Sequence, residues 1–120
     1  MQSMPSDPDF SPLSDIAHNI AIAREFVGGL SFEAFKDDLK TVYAVTRSLE
    51  IISEASRRLS AETKNRHPEI TWSQMAGAGN IYRHDYLDVR VDVLWRTVHE
   101  FLVPLLKAVD QELERLKSER

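Results

Sequence analysis

Asn80, Arg83 and His84 stand at i, i+3 and i+4, a spacing that places all three side chains on one face of a helix, where they converge on a single small ligand. Tyr86 and Asp88 follow within about a turn. An imidazole serves as general acid or base near neutral pH, and a guanidinium stabilises the extra negative charge of a phosphorane. A phenol adds a hydrogen bond or a hydroxyl open to modification. These are the parts of a metal-independent ribonuclease: a group that deprotonates the 2′-hydroxyl, a group that protonates the leaving oxygen, and a cation on the phosphate. A single copy of the set is thin for that task. Two copies facing each other across a twofold axis supply two histidines and two arginines, and isologous pairing is the commonest symmetry of soluble oligomers. On residue types alone the plainer alternative prevails, a decorated helix end with Arg83 paired to Asp85 or Asp88 and Tyr86 half buried.

The elements that must position this motif are helical. Ser11 is the expected N-cap of a first helix with Pro12 at its first position, and Leu13, Ile16, Ala17, Ile20 and Ala23 recur at three- and four-residue steps until Gly28 and Gly29 end it. Ser31 opens a longer stretch in which Phe32, Phe35, Leu39, Val42, Leu49, Ile52 and Leu59 keep the helical period, with a break near Lys40. A polar connector between Ser60 and Pro68 holds a short helix. Thr71 and Gln74 have capping-box spacing and open a helix through Trp72 and Met75 into the small-residue run Ala76, Gly77, Ala78, Gly79. Glycines inside a helical pattern cost about 1 kcal/mol each against alanine, so they mark close backbone approach or a bend. The last helix is expected from near Asp88, with Val91, Leu94, Trp95, Val98, Leu102, Leu105, Val109, Leu113 and Leu116 on one stripe and a kink at Pro104, which removes the hydrogen bond to the Glu100 carbonyl. No segment alternates with period two for long. The expected fold is all-α, an up-down bundle of four or five helices, with residues 1–10 as a flexible tail and 11–120 as the domain.

Bulk properties narrow the function classes. A chain of 120 residues holds one domain, so any chemistry must sit on the core scaffold itself. Cysteine is absent, which removes disulfides, thiolate zinc sites and a cysteine nucleophile, and fits a reducing cytoplasm. The longest apolar runs are a few residues, far below the roughly 20 that span a bilayer, so no membrane partner is expected. A net charge of −4 argues against gripping nucleic acid with a wide basic face. Contact with RNA is then local. The two basic clusters, Arg57, Arg58, Lys64 and Arg66, and Arg83, Arg90 and Arg96, read on charge alone as solvated helix surface. His18, His67 and His99 do not share ligand spacing with His84, and His84 with Asp88 is half a metal site, so no metal and no cofactor are expected. Trp72 and Trp95 read as core or interface aromatics.

Leu49-Glu50-Ile51-Ile52-Ser53-Glu54-Ala55, Trp72, the segment from Ala76 to Tyr86, Val93-Leu94-Trp95 and Pro104-Leu105-Leu106, with Leu13 to Ile16 and Phe35 before them, together resemble the HepT-like ribonuclease toxin family of the HEPN superfamily. The resemblance covers nearly the whole chain. The family pattern is an arginine, often followed by a polar residue, then after four to six intervening residues a histidine, one further residue and a tyrosine. His84, Asp85 and Tyr86 match its end and Asn80 its polar residue, whereas Gly79 stands where the arginine is expected. Arg83 is the candidate replacement, because on an ideal helix it lies one turn beyond position 79 and about 40° around the axis, within reach of the same phosphate.

The resemblance implies a homodimeric, HEPN-like toxin that cleaves RNA, partnered by a minimal nucleotidyltransferase antitoxin that blocks it by binding or by adenylylating Tyr86. It also implies a role for Glu54 beside the site, supporting Arg83; a surface ion pair of Glu54 with Arg57 or Arg58 is the equal alternative. Two further readings stay open. One is a catalytically weakened dimer that binds a partner or a nucleotide, suggested by Gly79. The other is a scaffold in which the motif caps a helix.

Overall fold

A computed structural model describes residues 7–76 and 90–119, and the structural statements below concern those residues. Helix α1 spans Phe10–Val27. It begins before the expected Ser11: the Leu13 N–H donates to the Asp9 carbonyl at 3.0 Å, which makes Asp9 the cap residue. Pro12 is then third in the helix and still within the first turn, where its missing N–H has no partner to lose. Gly28 ends α1 as expected, with φ at +52° and its N–H donating to the Arg24 carbonyl at 2.9 Å, a conformation L side chains avoid.

The stretch predicted after Ser31 is two helices. Helix α2 spans Phe32–Lys36 behind Ser31, whose Oγ accepts from the Ala34 N–H at 3.1 Å. Helix α3 spans Leu39–Arg57 behind Asp38. The Asp38 carboxylate accepts from the Thr41 N–H at 3.3 Å and the Thr41 hydroxyl at 2.8 Å. The break therefore falls at Asp37 and Asp38, just before Lys40, because a carboxylate that satisfies the free N–H groups of a new helix outweighs continuity of the old one. Leu39, expected on the buried stripe, is 63% exposed, since at the first position of α3 it lies outside the packed turns.

Helix α4 spans Ala61–Asn65, with Ser60 Oγ accepting from the Thr63 N–H at 3.2 Å, and residues 72–76 form α5. Among the described residues the final helix runs from Val91; Asp88, its expected start, lies outside them. It comprises α6 (Val91–Arg96), a π-helical turn (Thr97–Phe101) and α7 (Leu102–Ser118). The π turn is what the expected Pro104 distortion becomes. Without an N–H at position 104 the Glu100 carbonyl loses its regular donor, and the preceding turn widens so that the Leu102 N–H donates to the Thr97 carbonyl.

Helix α1 packs against both α3 and α7. Arg58, just past the end of α3, reaches Asp15 near the start of α1 at 2.9 Å, and Ser60 reaches Asp9, so α1 and α3 are antiparallel. Leu13, Ile16, Ile20, Phe35, Leu49, Ile52, Leu94, Leu102 and Leu105 fill the core, each at most 1% exposed. The protein is all-α: among the described residues there is no strand, and none of their helices is long and apolar enough to cross a membrane.

Candidate functional site

Asn80, Arg83, His84 and Tyr86 all lie in 77–89, outside the described residues. What the structure shows is the ground on which that segment begins and ends. The last described residue before it is Ala76 of α5, and two side chains of α3 fasten its carbonyl. Ser53 Oγ donates at 2.9 Å, and Arg57 Nη1 donates to the same oxygen. Ser53 is fully buried. Two donors from one neighbouring helix, one of them charged, thus hold the last described residue before the motif segment.

Glu54 sits beside Ser53 on α3 and is exposed. Among the described residues it forms no ion pair, because Arg57 is committed to Ala76 and Arg58 to Asp15. The surface pairing offered by its spacing is therefore not made. At the far end of the segment, Arg90 precedes α6 and holds Asp92 through two hydrogen bonds of 3.1 and 3.0 Å. This contact keeps the Asp92 carboxyl below its ordinary range.

The tryptophans hold the two ends of the frame. Trp72 Nε1 donates to the carbonyls of Lys64 and His67 at 3.2 and 3.1 Å, tying the start of α5 to the end of α4. Trp95 packs its ring against Phe35 at 5.5 Å, Phe32 at 5.7 Å and His99 at 4.0 Å. Both behave as the packing aromatics their spacing suggested.

A buried polar network beneath α4 went unseen in the sequence. Glu112 of α7 is 4% exposed and accepts from Arg66 at 2.8 Å, from Arg115 at 3.2 Å and from His67 Nε2 at 2.6 Å. An ionised carboxylate only accepts, so Nε2 carries a proton and donates it to Glu112. Burial alone would raise the Glu112 pKa; the hydrogen bonds from Arg66, His67 and Arg115 outweigh it and hold the group at about 2. The network continues through the Thr63 hydroxyl, which accepts from Arg66 at 3.1 Å and donates to Asp9 at 2.5 Å. Asp9 also accepts from the Ser60 hydroxyl and N–H at 2.6 and 3.0 Å. Its carboxyl is desolvated, yet these bonds and the nearby Arg66 charge keep its pKa below the usual aspartate value. Arg66 thus reaches from the surface to the buried Glu112, while Arg57, Arg58 and Arg66 are themselves exposed, as their reading as solvated surface expects. One signal was available: Glu112 lies between Val109 and Leu116 on the apolar stripe of α7, where a carboxylate must find partners.

Between α5 and the π turn lies a cleft of about 570 Å³ whose walls include Ile70, Met75, Val93, Phe101 and Pro104, with Gln74, Arg96 and Glu100 among its polar groups. Among the described residues no three side chains of the metal-binding types converge.

Comparison with known proteins places this frame. The sequence profile of the family described as Ribonuclease HepT-like matches residues 16–112. The chain belongs to the HepT-like ribonuclease family. It is 44% identical over 103 residues to "Probable ribonuclease HepT" of Thermococcus cleftensis, covering 86% of this chain and 93% of that one. It is also 36% identical over 93 residues to "Putative RNase TTE0752" of Caldanaerobacter subterraneus subsp. tengcongensis, covering 78% and 83%. A third relative, "Putative RNase MJ1380" of Methanocaldococcus jannaschii, shares 33% over 98 residues, covering 82% and 90%. No solved structure matches the chain at a comparable level. In this HepT-like chain, the matched span runs from within α1 into α7 and takes in the whole motif segment and, of the buried network, Ser60, Thr63, Arg66, His67 and Glu112.

Proposed function

We propose that this HepT-like protein is the ribonuclease toxin of a type VII toxin–antitoxin pair, cleaving RNA without a metal ion at a site completed by a second copy of the chain. The observation that carries this is the 44% identity to a probable HepT ribonuclease across 93% of its length, together with the anchoring of Ala76 at the head of the motif. In the proposed reaction, His84 of one copy removes the proton from the 2′-hydroxyl, whose oxygen attacks the adjacent phosphorus. Arg83 stabilises the charge on the phosphorane oxygens, and Asn80 donates a hydrogen bond to the phosphate. His84 of the second copy protonates the departing 5′-oxygen, leaving a 2′,3′-cyclic phosphate and a free 5′-hydroxyl. Glu54 orients Arg83. The antitoxin is a minimal nucleotidyltransferase, and adenylylation of Tyr86 would place phosphate charge in the anion site and exclude RNA. The site of action is the cytoplasm.

Gly79, standing where the family pattern has arginine, favours one second reading, a dimeric partner-binding or nucleotide-binding module that no longer cleaves. Inducing wild type and His84→Ala separately in cells, with growth and RNA integrity followed, decides between them. Growth arrest with RNA loss in the wild type alone, and cleavage by purified protein that persists in EDTA, is the expected result. Harmless expression of both establishes the non-cleaving module instead.

A further inference from the structure

Arg96 and Glu100 line the cleft between α5 and the π turn, both are exposed, and neither forms an ion pair with any described residue. Four residues apart on a regular α-helix, an arginine and a glutamate are neighbours that pair. Here, with the residues between them in the π turn, the two form no ion pair. One cation and one carboxylate without ion-pair partners thus share the rim of the concavity, while its other carboxylate, Glu69, lies 3.5 Å from His67 Nδ1. The wall beneath them is apolar, with Met75 2% exposed and Phe101 half-buried, and the volume of about 570 Å³ lies in the range of small-molecule sites.

A ligand that satisfies this lining needs a negative charge for the guanidinium, N–H donors for the carboxylate, and a flat apolar body for the wall. A nucleotide has all three. The carboxylate repels phosphate, so it faces the base, and guanine is the base whose pairing edge presents two adjacent N–H donors to the two oxygens of one carboxylate. Unpaired bases in RNA are recognised in this way, by contact with an aromatic face and hydrogen bonds to the pairing edge.

We propose that this cleft binds one unpaired guanosine of the RNA substrate, with Arg96 on its phosphate, Glu100 on the pairing edge of the base and Phe101 against its face. The assignment rests on the ribonuclease reading and names the specificity-determining residues for it. Full-length wild type, Glu100→Gln and Arg96→Ala are titrated by calorimetry with 2′-O-methyl pentanucleotides that differ in a single central base flanked by uridines. These oligomers lack the attacking hydroxyl, so binding is read apart from cleavage; cutting of ordinary RNA by wild type and His84→Ala judges the ribonuclease reading separately. The guanosine oligomer is expected to bind at least about tenfold tighter than the others, the discrimination of a good paired contact. Glu100→Gln should reduce that preference to about twofold while the uridine oligomer binds as before, and Arg96→Ala should weaken all four by about tenfold through loss of a charge-assisted contact. Both positions are exposed, so unchanged melting temperatures show that the variants fold. Equal affinity for all four bases, preference untouched by Glu100→Gln, or binding of free guanosine monophosphate without binding of the oligomer overturns the proposal.

Discussion

Replacing Glu112 by glutamine removes one negative charge from a site where a carboxylate collects Arg66, Arg115 and His67 at 2.6–3.2 Å. The fold holds this carboxyl at about 2 against an ordinary glutamate value of 4.5. At about 1.4 kcal/mol per tenfold change in proton affinity, that difference amounts to about 3 kcal/mol of stability. Its pH dependence has a definite sign. The folded pKa is depressed, so the contribution is fully present above 4.5 and is lost as pH falls through the interval down to about 2. Glutamine keeps one acceptor for His67 but gives the two guanidinium groups no charge to meet. The expected loss near neutral pH is about 3 kcal/mol, or a fall in melting temperature of about 12 °C for a domain of this size. Urea denaturation followed by circular dichroism from pH 7 to pH 2 measures it. The gap between wild type and Glu112→Gln should be constant above pH 5 and close as pH approaches 2. A gap below about 0.5 kcal/mol at pH 7, within the range of ordinary surface substitutions, or one that does not narrow in acid, refutes the reasoning.

Other perturbations probe separate parts of the frame. Asp9→Asn keeps the shape but weakens the bonds from Ser60 and Thr63; it should cost about 2 kcal/mol in the same denaturation assay, the worth of hydrogen bonds to a charged group, and the loss should shrink below the ordinary aspartate pKa. Phe35→Ala empties a fully buried position packed on Trp95 and should cost about 3–5 kcal/mol; a loss under about 1 kcal/mol would mean the site collapses around the gap. Arg57→Ala removes one of the two donors to the Ala76 carbonyl from an exposed position. It should change melting by less than about 2 °C while lowering the rate of RNA cleavage several-fold, and Arg57→Lys should restore part of that rate. An unchanged cleavage rate would show that this contact does not position the motif.

Periodicity and capping chemistry are local, and whatever they govern was readable along the chain. The stripe through Leu13, Ile16, Ile20 and Ala23, the helix start at Ser31, the short helix between Ser60 and Pro68, the Gly28 stop and the apolar row from Leu94 to Leu116 all stand where the sequence placed them. So does the all-helical class, because period 3.6 leaves no face for a sheet to bury. The candidate motif could be proposed for another reason: its residue types are close together in the chain, so spacing alone suggests convergence. Other features depended on helices separated by dozens of residues. Whether Glu112 meets Arg66 and His67, whether Asp9 caps its own helix or turns to Ser60 and Thr63, and whether Arg57 spends its charge on Glu54 or on Ala76 all follow from how α1, α3, α4 and α7 stack. Pro104 announced a disturbance of the last helix; only the structure shows that it takes the form of a π turn over Thr97–Phe101. A side chain's type and neighbours in sequence say that it needs a partner; the register between helices determines which partner it gets.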